Sequence, residues 1–296
     1  SDSEGADEYV AHLLTTVDSL SGLKVVVDGA NGAASQVAPL TYREAGAEVI
    51  AIHCAPDGYN INRDCGSTHL GDLQKAVVEH GADLGIGHDG DADRCLAVDA
   101  SGALVDGDQL MAIIALAMRD AGRLAHDTVV ATVMANLGFK QAMQRESISV
   151  VETAVGDRYV LEAMLASGYV LGGEQSGHVV MTEHASTGDG LLTALQVMNR
   201  MVATGASLAE LAGVMRRLPQ VLVNVSGVDK NALETCGAVS DAVSAAQEQL
   251  SDSGRVLLRK SGTEPLVRVM VEAQDEATAT GVAQSLAQTV RDHLSL

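Results

Sequence analysis

Short runs rich in valine and isoleucine alternate along the chain with longer segments in which apolar residues recur every three or four positions. The first pattern marks strands and the second marks amphipathic helices. Residues 9–20 read as a short helix and 23–28 as a strand. Gly29-Ala30-Asn31-Gly32 then turns the chain into a helix near 33–45, followed by a strand at 48–53. A Gly- and Asn-rich loop passes through Asn60-Ile61-Asn62 and Cys65-Gly66-Ser67 to a helix at 70–80 and a strand at 83–87. Residues 95–98 and 103–105, joined by Ala100-Ser101-Gly102, read as a β-hairpin.

The rhythm then restarts, with a helix at 109–120, a strand at 128–134, a helix at 137–145, a strand at 149–153 and a helix at 157–167. A strand at 169–171 ends at Gly172-Gly173, and a helix covers 189–203. The last part loses the strand–helix alternation, with strands at 220–225, 255–259 and 266–272 and long helices at 237–250 and 277–294. Alternation with short glycine turns predicts parallel α/β layers. The chain is therefore expected to be α/β, with two consecutive α/β/α-layer domains at 1–105 and 106–215 and a small α+β domain at 216–296. The two α/β parts have the pattern of a duplication without visible sequence identity.

Composition narrows the picture. With 47% hydrophobic residues, no tryptophan and one phenylalanine, the cores must be aliphatic. No apolar run approaches the ~18 residues that span a bilayer, and Met111 to Met118 is only a helix-sized core segment. A formal charge of −20 disfavours nucleic acid and anionic membranes as partners. An anionic ligand then requires that arginines and any metal be gathered at one place. Cys54, Cys65, Cys95 and Cys236 form no C-x-x-C and have no zinc-type spacing, so they read as buried or half-buried thiols of a reducing cytoplasm. There is no signal-peptide pattern. The start, Ser1-Asp2-Ser3-Glu4-Gly5, reads as a linker or a cut end. The chain is compatible with a monomer or a homodimer.

Three loops carry candidate chemistry. Asp89-Gly90-Asp91-Ala92-Asp93-Arg94 follows a buried strand and sets three carboxylates at alternate positions. Small residues between them let the chain curl so that the carboxylates converge, and such a cluster of hard oxygens suits Mg²⁺. An EF-hand loop is excluded, because its sixth and twelfth positions would be Arg94 and Ala100 rather than glycine and glutamate. The competing reading is a solvated acidic turn. In Gly172-Gly173-Glu174-Gln175-Ser176-Gly177-His178, an acceptor at Glu174 and a donor–acceptor at Ser176 suit vicinal sugar hydroxyls, against an ordinary polar turn. In Arg259-Lys260-Ser261-Gly262-Thr263-Glu264-Pro265, with Arg268 close behind, backbone N–H groups, two hydroxyls and two guanidinium groups suit a phosphate, against a hairpin turn with surface cations. Gly156-Asp157-Arg158-Tyr159 and Thr187-Gly188-Asp189-Gly190 read mainly as helix starts, with Arg158 a further candidate for the cleft.

Together, and in this order, the three loops resemble those of the α-D-phosphohexomutase superfamily: Asp-Gly-Asp-x-Asp-Arg, Gly-Glu-x-Ser-Gly-His and Arg-x-Ser-Gly-Thr-Glu-Pro. Val27 to Ala33, Asn60-Ile61-Asn62, Val155 to Val160 and Leu257 to Glu272 extend the resemblance over essentially the whole chain. The similarity is greatest to the bacterial phosphoglucosamine mutase branch. Phosphomannomutase/phosphoglucomutase relatives usually have methionine at Gln175, asparagine at Gly262 and histidine at Asp157. The resemblance implies an isomerase of amino sugar metabolism that supplies peptidoglycan precursors. It would interconvert glucosamine 6-phosphate and glucosamine 1-phosphate, with glucosamine or glucose 1,6-bisphosphate as activator. It assigns Asp89, Asp91 and Asp93 to Mg²⁺, with a phosphoserine oxygen as a further ligand, and Arg94 to the transferring phosphoryl group. It assigns Glu174 and Ser176 to the sugar 3- and 4-hydroxyls, with His178 near the substrate, and Arg259, Ser261, Gly262, Thr263 and Arg268 to the non-reacting phosphate.

One departure is large. The family's first domain carries a Thr-Ala-Ser-His-Asn-Pro loop whose serine is phosphorylated, and Ser67-Thr68-His69 is only a superficial echo of it. The chain is thus expected to correspond to the family's domains two to four and to be inactive by itself. The alternatives are a phosphomannomutase/phosphoglucomutase or a non-catalytic phosphosugar-binding protein. A serine-independent magnesium phosphatase lacks support, since there is no D-x-D-x-T motif.

Overall fold

The computed structural model describes residues 2–262 and 264–296. Helix α1 spans Asp2–Leu14, so the acidic start is helical and the helix lies earlier than the predicted 9–20. Thr15 and Thr16 end it by turning their hydroxyls back onto the carbonyls of His12 and Leu13, both at 2.7 Å, which offers the backbone an alternative to another helical turn.

β1 (Lys24–Asp28), α2 (Ala34–Glu44), β2 (Glu48–Ile52), α3 (Gly71–His80) and β3 (Leu84–His88) follow. A hairpin of β4 (Cys95–Asp99) and β5 (Leu104–Val105) completes a five-stranded sheet of order β2-β1-β3-β4-β5. The first three strands are parallel, and β4 and β5 run antiparallel at one edge. Side-chain alternation in β1 explains the layering. Val25 and Val27 enter one core with Tyr42, whereas Val26 packs on the other face against Leu73 and Val77 of α3.

The second α/β part repeats the arrangement with α4 (Gly107–Asp120), β6 (Thr128–Thr132), α5 (Leu137–Arg145), β7 (Ser149–Thr153), α6 (Asp157–Ser167), β8 (Leu171–Gly173), β9 (Val179–Met181), α7 (Gly190–Thr204) and α8 (Leu208–Ala212). Its sheet has the order β7-β6-β8-β9, parallel except for β9. Val129 and Ala131 of β6 join the same core as Val25 and Val27, while Val130 packs with Val160 and Met164 of α6. The apolar helices α4 and α7 belong to that shared core. β8 starts two residues later than the predicted 169, because Gly168 ends α6 in the left-handed conformation and Tyr169 donates back to Met164. β9 and α8 were not anticipated, being too short to show a period.

By contacts, the described residues divide into two compact units. One runs to residue 135 and includes 139–215; the other holds 136–138 and 216–296. The second unit contains β10 (Gln220–Ser226), α9 (Gly237–Leu250), β11 (Arg255–Lys260), β12 (Leu266–Glu272) and α10 (Glu276–Leu294). Its sheet is antiparallel with order β10-β12-β11, covered by both helices. Val225, Val267, Val269, Val271, Leu286 and Val290 form its core. The buried Glu272 carboxylate is held by Arg255 through Nε and Nη2, both at 3.1 Å. Cys65 and Cys95 are buried and Cys54 and Cys236 half-buried, all as free thiols. No helix among the described residues is long and apolar enough to cross a membrane.

Candidate functional site

In open α/β sheets, ligand-binding loops gather beyond the carboxyl ends of the strands, where neighbouring connections diverge. β1 lies between β2 and β3, so the end of β3 is such a place. Residues 89–94 join β3 to β4 there, with His88 and Cys95 paired across the base. Ala92 takes a left-handed φ of 61° and donates to the Asp89 carbonyl at 3.1 Å, which curls the loop. Gly90 is enclosed: a β-carbon on it would lie 2.6 Å from Asn62 Nδ2 and 2.8 Å from Ile61. Ala33 donates to the Gly90 carbonyl at 2.8 Å.

The consequence is that one oxygen from each of Asp89, Asp91 and Asp93 lies within 4.8 Å of the other two. Burial, and then the neighbouring Asp93 and Asp91 charges, push the Asp89 carboxyl up to about 6. Arg94 Nε, 3.6 Å from Asp89 and 3.7 Å from Asp93, offsets only part of this charge. A cluster of three hard oxygen donors with this excess of negative charge fits a magnesium ion.

The second loop is the turn between β8 and β9, the corresponding place in the other sheet. Glu174 and His178 close it through an N–H···O bond of 2.9 Å, and Glu174 Oε1 accepts the Gly156 N–H at 3.1 Å. The two loops are bonded to each other. Arg94 and His178 form an antiparallel bridge, and Cys95 donates to the Gly177 carbonyl at 3.1 Å. The buried His178 ring places Nε2 3.6 Å from Asp93 Oδ2. The Ser176 hydroxyl is enclosed yet has no protein partner. Arg158 is not drawn to these groups: it lies on the first turn of α6, largely exposed, and donates to Glu162 at 2.7 Å.

Beneath the loops lies a layer that the sequence reading missed. The Arg94 carbonyl can only accept, so its 3.1 Å partner, His88 Nδ1, carries the proton. His88 Nε2 then accepts from the Tyr42 hydroxyl at 2.8 Å. Burial pulls the His88 pKa down, which keeps the ring neutral in this arrangement. Gly190 donates to the Ala92 carbonyl at 2.9 Å, and Asp189, which caps α7, accepts the Tyr9 hydroxyl at 2.9 Å. A histidine closing an apolar run was the only sequence signal for the Tyr42–His88 pair.

In the second unit, the antiparallel register of β11 and β12 sets Arg259 directly opposite Arg268. Burial and then the Arg268 charge lower the Arg259 pKa. Glu264 Oε2 accepts from Arg268 at 3.0 Å. The Ser261 hydroxyl accepts the Glu264 N–H at 3.2 Å, and Lys230 Nζ, another unforeseen residue, binds the Ser261 carbonyl at 2.7 Å. Around Gly262 there is open space. Thr263 lies outside the described residues.

Comparison with known proteins bears on these loops. Residues 7–102 match the family model described as phosphoglucomutase/phosphomannomutase, alpha/beta/alpha domain II; residues 106–218 match alpha/beta/alpha domain III; and residues 198–289 match the C-terminal domain. The chain belongs to the phosphoglucomutase/phosphomannomutase family. Within the family, it is 63% identical over 293 residues to a phosphoglucosamine mutase from Streptomyces griseus, covering 99% of this chain and 65% of that protein. The chain thus spans about two thirds of the length of this curated relative. Among solved structures, a phosphoglucomutase/phosphomannomutase family protein from Burkholderia thailandensis matches with a TM-score of 0.81 at 21% identity, over 97% of this chain and 64% of that one. An N-acetylphosphoglucosamine mutase from Aspergillus fumigatus, in complex with GlcNAc-6P and magnesium, matches with a TM-score of 0.79 at 20% identity, over the same shares. At these identities the structural matches establish the shared family fold.

Proposed function

We propose that this chain carries the magnesium-, sugar- and phosphate-binding parts of a phosphoglucosamine mutase, which interconverts glucosamine 6-phosphate and glucosamine 1-phosphate. The observation that carries this reading is the bonding of the carboxylate loop to the Glu174–His178 loop through the Arg94–His178 bridge. The carboxylates proposed for the metal are thereby held beside the donors proposed for the sugar. The 63% identity to a protein named for the glucosamine reaction favours that substrate over glucose or mannose phosphates.

Phosphoryl transfer is achieved mainly by positioning and charge neutralisation. A bound Mg²⁺ would supply positive charge to a phosphoryl oxygen. Asp89, Asp91 and Asp93 would hold the ion, and Arg94 would donate to the phosphoryl group beside it. Glu174 would accept from one sugar hydroxyl, and Ser176 Oγ would bond the next. Two neighbouring ring hydroxyls present similarly in both substrate orientations, so one pair of residues serves both half-reactions. Arg259, Ser261, Gly262, Thr263 and Arg268 would bind the phosphate that does not react. The reading includes a cytoplasmic location, where free thiols persist, and a hexose 1,6-bisphosphate as activator. The test is calorimetric titration with Mg²⁺: binding should be weak but saturable and should disappear in Asp91→Ala. Equal binding by the two proteins would overturn the metal assignment.

A further inference from the structure

A second group of metal-ligating side chains lies at the carboxyl end of the first sheet, next to the aspartate loop. Asp28 ends β1, His53 follows β2, and Cys65 begins the turn at Gly66–Thr68. The parallel register sets Asp28 opposite Ile52, so His53 arrives beside Asp28. One ligand atom from each of Asp28, His53 and Cys65 lies within 4.8 Å of the other two. Asp28 and Cys65 are fully buried. His53 Nδ1 is 2.9 Å from Asp28 Oδ2, and the other ring nitrogen is 3.6 Å from Asp72 Oδ2. His53 holds a left-handed φ of 47°, uncommon for a residue other than glycine. The Cys65 sulfur has a weak contact of 3.8 Å from the Asn31 amide.

We propose that Asp28, His53 and Cys65 form a binding site for a divalent cation of the zinc class, separate from the aspartate cluster. Thiolate and imidazole donors favour zinc-class ions, just as the all-oxygen set of Asp89, Asp91 and Asp93 favours magnesium. Zinc–nitrogen and zinc–sulfur bonds of about 2.0 and 2.3 Å place tetrahedral ligand atoms roughly 3.3–3.8 Å apart, so the 2.9 Å His53–Asp28 pair opens by a few tenths of an ångström to admit the ion. On binding, the Cys65 thiol releases its proton to solvent. The proton that His53 Nδ1 shares with Asp28 passes to solvent, the ring keeps or takes a proton on Nε2, facing Asp72, and the Nδ1 lone pair is left for the metal. Asp72 then acts as the outer carboxylate that orients a ligating histidine. Asp28 keeps the 2.9 Å bonds it accepts from the Ala30 and Gly66 N–H groups, and water fills the fourth position.

The site would clamp the two loops that brace Gly90. Asn31 donates to the His53 carbonyl at 2.7 Å, Asn62 to the Ala30 carbonyl at 2.9 Å and Ala33 to the Gly90 carbonyl at 2.8 Å. A metal at Asp28, His53 and Cys65 would tie these segments together.

The test is titration of the chain with Co²⁺ in excess Mg²⁺, followed by absorption. The expected result is one equivalent of four-coordinate cobalt with a thiolate-to-cobalt band, displaced by Zn²⁺. Cys65→Ser should abolish that band, and Cys54→Ser, at the neighbouring thiol, should keep it. Asp72→Asn should weaken binding about 10- to 100-fold. No thiolate band in the unmodified chain would overturn the proposal without recourse to any variant. So would a band that survives Cys65→Ser and vanishes in Cys54→Ser. Either result would leave Asp28–His53 as a hydrogen-bonded pair beside a buried thiol.

Discussion

Arg259 and Arg268 face each other across β11 and β12. Like charges directly opposite in a sheet repel, so the pair is held in a state that an anion relieves. Glu264 accounts for part of that relief at Arg268. Arg268→Ala should therefore weaken glucosamine 6-phosphate binding by about 10- to 100-fold, the equivalent of one charge-assisted hydrogen bond of roughly 1.5–3 kcal/mol. Thermal stability should change little, since an exposed ion pair contributes at most about 1 kcal/mol. Unchanged binding in calorimetry would give this loop another role. Gly190 makes a different kind of demand. A β-carbon there would lie 2.2 Å from the Arg94 carbonyl oxygen, a backbone atom that cannot swing aside. Gly190→Ala should cost about 1–3 kcal/mol by overpacking. It should also reduce Mg²⁺ affinity, because the displaced backbone belongs to the carboxylate loop. Full Mg²⁺ affinity in a destabilised variant would separate packing from site geometry.

At the scale of elements, α7 does two jobs. Its apolar face fills the core shared by both α/β sheets, and its start supports the aspartate loop. Asp189 caps it, accepting the Leu192 N–H at 2.9 Å, and also accepts the Tyr9 hydroxyl. Asp189→Ala removes both bonds and should cost about 1–3 kcal/mol in urea unfolding. Tyr9→Phe should cost less, and the double variant less than the sum, if the two residues share one hydrogen bond. The predicted helix over 189–203 and its cap were legible because apolar periodicity follows an Asp at the start. The support that α7 gives the metal loop was not legible, because the bond from Gly190 to the Ala92 carbonyl connects segments about a hundred positions apart. α1 was placed too late for a local reason: the threonine hydroxyls at 15 and 16 cap its end, a choice invisible to apolar periodicity.

At the scale of the molecule, the two α/β sheets place their loops alike. Each has a central parallel strand flanked by two others, and the functional turn leaves the carboxyl end of the strand beside it, β3 in one and β8 in the other. With a net charge of −20, binding of the proposed anionic substrate would depend on a few cations: Arg94 in the β3–β4 turn, and Arg259 and Arg268 in β11 and β12. Mutase chemistry also needs a group that holds the phosphoryl between half-reactions. The 296 residues contain no Thr-Ala-Ser-His-Asn-Pro loop. Expressed by themselves, they should show no conversion of glucosamine 6-phosphate, even with Mg²⁺ and glucose 1,6-bisphosphate. The same residues joined to a family-type serine domain should be active. Robust turnover by the short chain would reveal another nucleophile, and inactivity of both would count against the enzyme reading.

The sequence by itself determined the longer elements, the aliphatic cores and the three loops, because each is written in neighbouring residues, whereas β9 and α8 were too short to be read. Asp89, Asp91 and Asp93 could be read as converging from their spacing. Tertiary structure alone decided what those loops touch. It brought His178 to Asp93, His88 to the Arg94 carbonyl, Arg259 opposite Arg268, and Asp28, His53 and Cys65 to one point. The reason is physical. Turn chemistry and periodicity act over a few residues, whereas these contacts follow from which strands pair and in what register, and that is settled by burial across the whole core.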